Sequence, residues 1–202
     1  MNLAIAKDYA EKISIWITPY CQDGVPSIVG SIRRQRPICN DIDIVCIPHI
    51  VEQTDMFGTV IKTENRLHQF LSDYVETSNG NAKFISGGDK PGKLILLELP
   101  KCQLDLWFAT PETFATRMMC RTGSAEHNIW LASRAKRMGV KWNPYEGLFS
   151  GGEWRKAGDR DEYLGGTLQQ FASETEIYAA LELPFIDPKD RELPYLTTHF
   201  GS

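Results

Sequence analysis

The sequence predicts an α+β protein, with a mixed sheet flanked by helices over residues 1–110 and a smaller α+β subdomain over residues 111–202. Three observations carry that expectation. Apolar positions recur at helical spacing in residues 3–18 and again in 64–75, which reads as two amphipathic helices. Asp41-Ile42-Asp43-Ile44-Val45-Cys46-Ile47, closed by Pro48, is a β-branched run of strand length, and residues 103–108 form another. After Thr110 the pattern changes to two helices in close succession, followed by short strands and glycine-rich turns.

The elements follow in order. After the first helix, Asp23-Gly24 turns the chain into a short strand over 25–29, which Gly30-Ser31 interrupts before a basic turn and Pro37. In the 64–75 helix, Leu67, Phe70, Leu71 and Tyr74 share one side. Asn79-Gly80 signals a turn, a strand begins at Lys83, and residues 87–92 read as a loop or hairpin tip. Strands over 94–99 and 103–108 are separated by Pro100-Lys101. Thr110-Pro111-Glu112 resembles a helix start with Thr110 as cap, and that helix runs to about Arg121. A second helix over 125–138 ends at Gly139, and Ser173-Glu174-Thr175-Glu176 caps a third through Leu181. Residues 193–202 read as a loosely held tail.

Composition narrows the function classes. The chain has 202 residues, enough to bury a core, and its 42% hydrophobic content is ordinary for a globular protein. No apolar run reaches membrane-span length and no signal-peptide pattern is present, so a cytoplasmic protein without a membrane partner is expected. Five cysteines without a CxxC pair argue against a disulfide framework or a structural zinc site. The four histidines do not cluster, so metal chemistry has to come from carboxylates. The net charge of −4 argues against coating nucleic acid by electrostatics alone. Charge is nevertheless uneven, with one basic knot at Arg33, Arg34 and Arg36 and another at Arg134, Lys136, Arg137 and Lys141. Each knot taken singly reads as a solvated face. No heptad or apolar interface stands out, and a monomer is expected.

The sharpest feature is Gly30-Ser31-Ile32-Arg33-Arg34, ahead of Asp41-Ile42-Asp43. On a strand, Asp41 and Asp43 project to the same side, where two carboxylates repel unless a cation lies between them. Hard divalent ions take such oxygen ligands. An isolated DxD more often lies on a surface, but these aspartates sit in an apolar strand and need a compensating partner. Gly30 lets the backbone approach a phosphate, Ser31 adds a hydroxyl, and Arg34 can reach the same anion. In-line displacement at phosphorus calls for a further carboxylate, and Asp105 fits, although alone it also reads as an exposed position of an edge strand.

Taken together, Gly30-Ser31-x-x-Arg34, Asp41-Ile42-Asp43 and the later Asp105 resemble the palm of the DNA polymerase X family. Thr122-Gly123-Ser124-Ala125-Glu126-His127-Asn128 is similar to the family's TGS-x-x-x-N stretch. The segments from Gly139 to Phe149 and from Ser173 to Ile186 resemble the closing segments of its bacterial members. The likeness covers roughly residues 5–192. It implies a palm over 1–110 and a nucleotide- and template-binding subdomain over 111–202. Asp41, Asp43 and Asp105 would be catalytic and hold two Mg²⁺ ions, with Mn²⁺ as a substitute. Gly30, Ser31, Arg34, Arg121, Thr122, Gly123 and Asn128 would bind a dNTP or NTP. Arg134, Arg137 and Lys141 would face a DNA primer-template, in the first instance a gapped one. The implied reaction is attack of a primer 3′-hydroxyl on the α-phosphorus with release of pyrophosphate, as in short-gap repair synthesis.

The sequence also departs from the family. Cys120-Arg121 stands where Tyr-Phe usually precedes the TGS stretch, which leaves the choice of sugar open. No counterpart of the amino-terminal lyase domain, the helix-hairpin-helix segment or the carboxy-terminal phosphoesterase domain is recognisable, so a minimal form is expected. An alternative keeps the chemistry and changes the acceptor to an RNA end, a protein or a small molecule. A non-enzymatic binding module would need a lost metal ligand, whereas all three aspartates are present.

Overall fold

The computed structural model describes residues 1–202 apart from 23, 25, 87–92, 97–101 and 201–202. The expected loop or hairpin tip at 87–92, the end of the 94–99 strand and Pro100-Lys101 lie outside the described residues, as does Asp23 of the first turn. The protein is α+β and divides into two compact units. The first comprises Met1–Ile32 and Arg36–Ala109, the second Arg33–Gln35 and Thr110–Ser202.

The first unit opens with helix α1 (Leu3–Ile17), capped by Asn2, whose side chain accepts from the Ile5 amide at 3.0 Å. Strand β1 (Ser27–Ile28) leads into the short helix α2 (Gly30–Arg33), and β2 (Asp41–Cys46) follows. A hairpin of β3 (Ile50–Thr54) and β4 (Val60–Asn65) comes next. Its turn is an Asp55 side chain accepting from the amides of Phe57 and Thr59, with Gly58 at φ 82°. Helix α3 (Arg66–Thr77) is capped by Asn65. Strands β5 (Ala82–Ser86), β6 (Lys93–Leu96) and β7 (Cys102–Phe108) complete the sheet, in the order β1-β2-β7-β6-β5. Among the described residues of this sheet, β2 and β7 form the one parallel pair.

Alternation along β2 and β7 sorts their side chains. Ile42, Ile44, Leu104 and Leu106 are buried in one cluster with Ala6, Ala10, Ile13 and Ile17 of α1 and Leu67 and Leu71 of α3. Each such branched side chain contributes roughly 1.5–3 kcal/mol on burial. With that face of the sheet committed to the helices, the odd-numbered residues of both strands take the other face. That set contains Asp41, Asp43, Gln103, Asp105 and Trp107.

The second unit contains helices α4 (Phe114–Thr122) and α5 (Ala125–Arg137), then β8 (Lys141–Asn143) and β9 (Gly147–Ser150). A hairpin of β10 (Glu153–Ala157) and β11 (Arg160–Leu164) follows, and β12 (Thr167–Gln169) returns to pair with β9. Helices α6 (Glu174–Ala180) and α7 (Leu193–Phe200) close it. Ser124 and Ser173 cap α5 and α6 by accepting from the amides of His127 and Glu176. Met119, Leu131, Trp142, Ile177, Tyr178 and Leu196 are buried in its core.

Two expectations need correction. Thr110-Pro111 does not start the helix, because residues 110–113 close a turn in which the Thr113 amide donates to Thr110 O at 3.1 Å. Pro111, with its fixed φ, occupies that turn, and α4 begins at Phe114. The carboxy-terminal stretch is no loose tail, since α7 forms there and Leu196 is fully buried. Leu196 is buried in the second core with Tyr195 packed against it, and two leucines among polar and aromatic residues are a weak sequence signal. The β3–β4 hairpin has no counterpart in the expectations, although Ile50-Val51 and Val60-Ile61 flank its turn. Cys21, Cys39, Cys46 and Cys120 are unbridged thiols. No helix among the described residues is long and apolar enough to cross a membrane.

Candidate functional site

In the first unit the site is built by register. Strand β1 pairs antiparallel with β2 through Ser27–Val45 and Ile28–Ile44, and the Val29 amide donates to Asp43 O at 2.9 Å. This ladder delivers Gly30 against the Asp43 side chain. Gly30 has φ 62°, and a β-carbon there would lie 2.2 Å from Asp43 Oδ2. Only glycine combines that backbone with that approach. The adjacent Ser31 Oγ is buried and meets no hydrogen-bond partner among the described residues.

Across the parallel ladder, Asp41 lies opposite Gln103 and Asp43 opposite Asp105. Neighbouring strands run about 4.8 Å apart, so the two facing carboxylates share one small patch of the sheet. Asp43 Oδ1 accepts from Trp107 Nε1 at 3.0 Å, and Asp105 Oδ1 from Gln103 Nε2 at 2.8 Å. Asp105 is 4% exposed and sits on the central strand, which corrects the edge-strand reading. Among the described residues no three His, Cys, Asp or Glu side chains converge closely enough to hold a metal ion. The oxygen-only donors Asp41, Asp43 and Asp105 nevertheless suit a hard divalent cation, and they share one sheet face.

The second unit carries the arginines. Arg34 Nε donates to Glu192 Oε1 at 2.9 Å, and its Nη1 donates to Thr122 O. A β-carbon on Gly123, whose φ is 69°, would stand 3.0 Å from Arg34 Nη1. Asn128 Nδ2 donates to Cys120 O at 2.8 Å and so fastens α5 to the end of α4. Arg121 lies over the Tyr145 ring, 5.7 Å from its centroid. Arg34, Thr122 and Gly123 thus come together, with Asn128 one turn into α5. The second basic knot does not converge. Arg134 donates to Leu181 O and Glu182 at 3.0 Å each, Arg137 lines a groove with Trp130, Ser133 and Lys136, and Lys141 sits over Phe149.

Sequence reasoning missed a buried charge network beneath these residues. Arg33 donates to Glu174 and Thr122, and the fully buried Arg191 donates to Glu174 Oε1 at 2.7 Å. Burial opposes ionisation of Glu174, but hydrogen bonds from Arg33 and Arg191 outweigh it and hold its carboxyl below the usual range. His127 Nε2 lies 2.8 Å from Tyr178 Oη, and burial, with Arg191 nearby, presses His127 down to about 3. Arg33 and Glu174 are 141 residues apart, and no local pattern pairs them. Trp107 and Gln103 were legible, since alternation sets them on the face of Asp105.

With this geometry established, two comparisons show what the chain resembles. A family model for the DNA polymerase beta thumb matches residues 117–192. The chain is thus similar to proteins of the DNA polymerase X family. It is 28% identical over 167 residues to the "DNA polymerase/3'-5' exonuclease PolX" of Bacillus subtilis (strain 168), an alignment covering 82% of this chain and 24% of that relative.

Proposed function

We propose that the protein is a Mg²⁺-dependent nucleotidyltransferase that adds nucleotides to a primer 3′-hydroxyl on gapped DNA. The observation that carries this reading is the facing pair Asp43 and Asp105, with Gly30 closed against Asp43. Two acids side by side on neighbouring strands repel, which costs stability until a cation lies between them. The likeness to polymerase beta and to the Bacillus relative supports the same conclusion.

In this mechanism Asp41, Asp43 and Asp105 would hold the metal, which neutralises phosphate charge and acidifies the hydroxyl. The buried Asp105, oriented by Gln103, would stand near the 3′-hydroxyl and draw off its proton. The attacking oxygen forms a bond to the α-phosphorus as the bond to the β-phosphate oxygen breaks, and pyrophosphate leaves. Ser31 Oγ, buried without a partner among the described residues, would donate to a phosphate oxygen, and Gly30 would admit the chain closely. Arg34 would exchange Glu192 for the triphosphate, and Thr122, Gly123 and Asn128 would border sugar and base. Most of the rate would come from positioning and charge neutralisation.

Primer extension tests this. With Mg²⁺, a gapped duplex should be extended and a bare single strand should not, with dNTPs and rNTPs offered separately to reveal the sugar preference. Pyrophosphate release only with an RNA end, protein or small molecule would move the assignment to that acceptor. No transfer to any acceptor would overturn it.

A further inference from the structure

We propose that Arg117, Arg121 and Tyr145 form a binding site for a nucleic-acid strand, taking a backbone phosphate between the guanidinium groups and a base against the ring. The proposal rests on the polymerase reading above for its substrate class, but its test involves no nucleotide transfer.

Arg117 and Arg121 lie one helical turn apart on α4, so their side chains emerge on the same face. Both reach Tyr145, with guanidinium carbons 4.7 Å and 5.7 Å from the ring centroid. Tyr145 is 48% exposed, and its backbone is pinned where its amide donates to Asn143 Oδ1 at 2.9 Å. Arg117 makes no ion pair among the described residues, and its buried Nε meets no acceptor there. Burial pulls the Arg117 pKa down, and the neighbouring Arg121 charge adds to the effect. A partly desolvated Arg117 guanidinium with no counter-charge among the described residues, held beside a second like charge, is stabilised when an anion binds it.

The aromatic partner narrows the anion. A stacked guanidinium keeps its outer N–H groups free in direction for bidentate phosphate contact, while an exposed tyrosine face accepts any base. In the second basic knot two cations already have oxygen partners. Arg134 is bonded to Leu181 O and Glu182, and Lys136 is paired with Asp161. Those cations are already engaged within the fold.

The test is fluorescence anisotropy of the full chain with a labelled single strand and a gapped duplex, without nucleotide or divalent cation, over a salt series. Arg117→Gln should weaken binding several-fold and reduce the salt slope by about one, whereas Arg117→Lys should keep the slope. Tyr145→Leu should weaken binding at unchanged slope. Thermal melts of each variant separate lost contacts from lost folding. Unchanged affinity and slope in Arg117→Gln, no oligonucleotide binding by the unmodified chain, or equal binding of a polyglutamate peptide would each overturn the site. Failure of the polymerase reading looks different: binding persists while transfer to the primer is absent.

Discussion

Gly30 and Asp43 approach so closely that a β-carbon on residue 30 would fall 2.2 Å from the Asp43 carboxylate oxygen. The contact follows from two backbone facts, the antiparallel ladder between β1 and β2 and the positive φ of Gly30. It couples the Gly-Ser turn to the acid expected to hold metal.

Gly30→Ala should therefore damage activity more than stability. A left-handed alanine costs about 1–2 kcal/mol, and the clash additionally displaces Asp43. Thermal melting should show a modest decrease while primer extension falls by at least tenfold. Activity retained at the unmodified level would show that the approach has no part in catalysis.

Asp43→Ala should abolish transfer and leave the protein folded, because removing one of two facing carboxylates relieves repulsion. Asp43→Asn separates the contributions, since the amide oxygen can still accept from Trp107 Nε1. Both variants should melt within about 1 kcal/mol of the unmodified chain without metal. Measurable transfer by either would sink the assignment of Asp43.

Glu174 is the counter-charge of Arg33 and of the fully buried Arg191. Glu174→Ala should cost roughly 3–5 kcal/mol in chemical denaturation, because it leaves Arg191 buried without its partner. Its carboxyl is held below the usual range in the fold. Stability from this group is thus present above the unfolded carboxylate pKa and lost as pH falls through the depressed one. A cost below 1 kcal/mol would mean that the network contributes little.

His127 predicts a second pH effect at milder acidity. Its folded pKa is about 3 against an ordinary 6.5, so the native state holds it neutral and the unfolded chain protonates first. Its contribution is complete above about pH 6.5 and declines as pH falls toward 3. Between pH 7.5 and 5 the loss should be about 2 kcal/mol. Urea midpoints at the two values measure it, and His127→Gln should flatten the difference. An equal slope in that variant would assign the effect elsewhere.

Much of this protein was legible locally. Helices α1, α3, α5 and α6 follow from apolar spacing and from the caps Asn2, Asn65, Ser124 and Ser173, which act within one turn of chain. Strands β2 and β7 follow from their β-branched and aromatic runs, and alternation alone puts Asp41 and Asp43 on one face and Asp105 with Trp107 on another strand's equivalent face. The α+β class and the polymerase X likeness needed nothing more. Tertiary structure decided what spacing cannot encode. Parallel register chose Asp105 as the residue facing Asp43, whereas a slip of one residue along β7 would have set Leu104 or Leu106 there and turned Asp105 inward. Folding also joined Arg33 to Glu174 and Arg34 to Glu192, pairs whose attraction depends on distance in space and on the low polarity around them. Side-chain chemistry is written along the chain, but the charges compensating one another are chosen only when distant segments pack and exclude water.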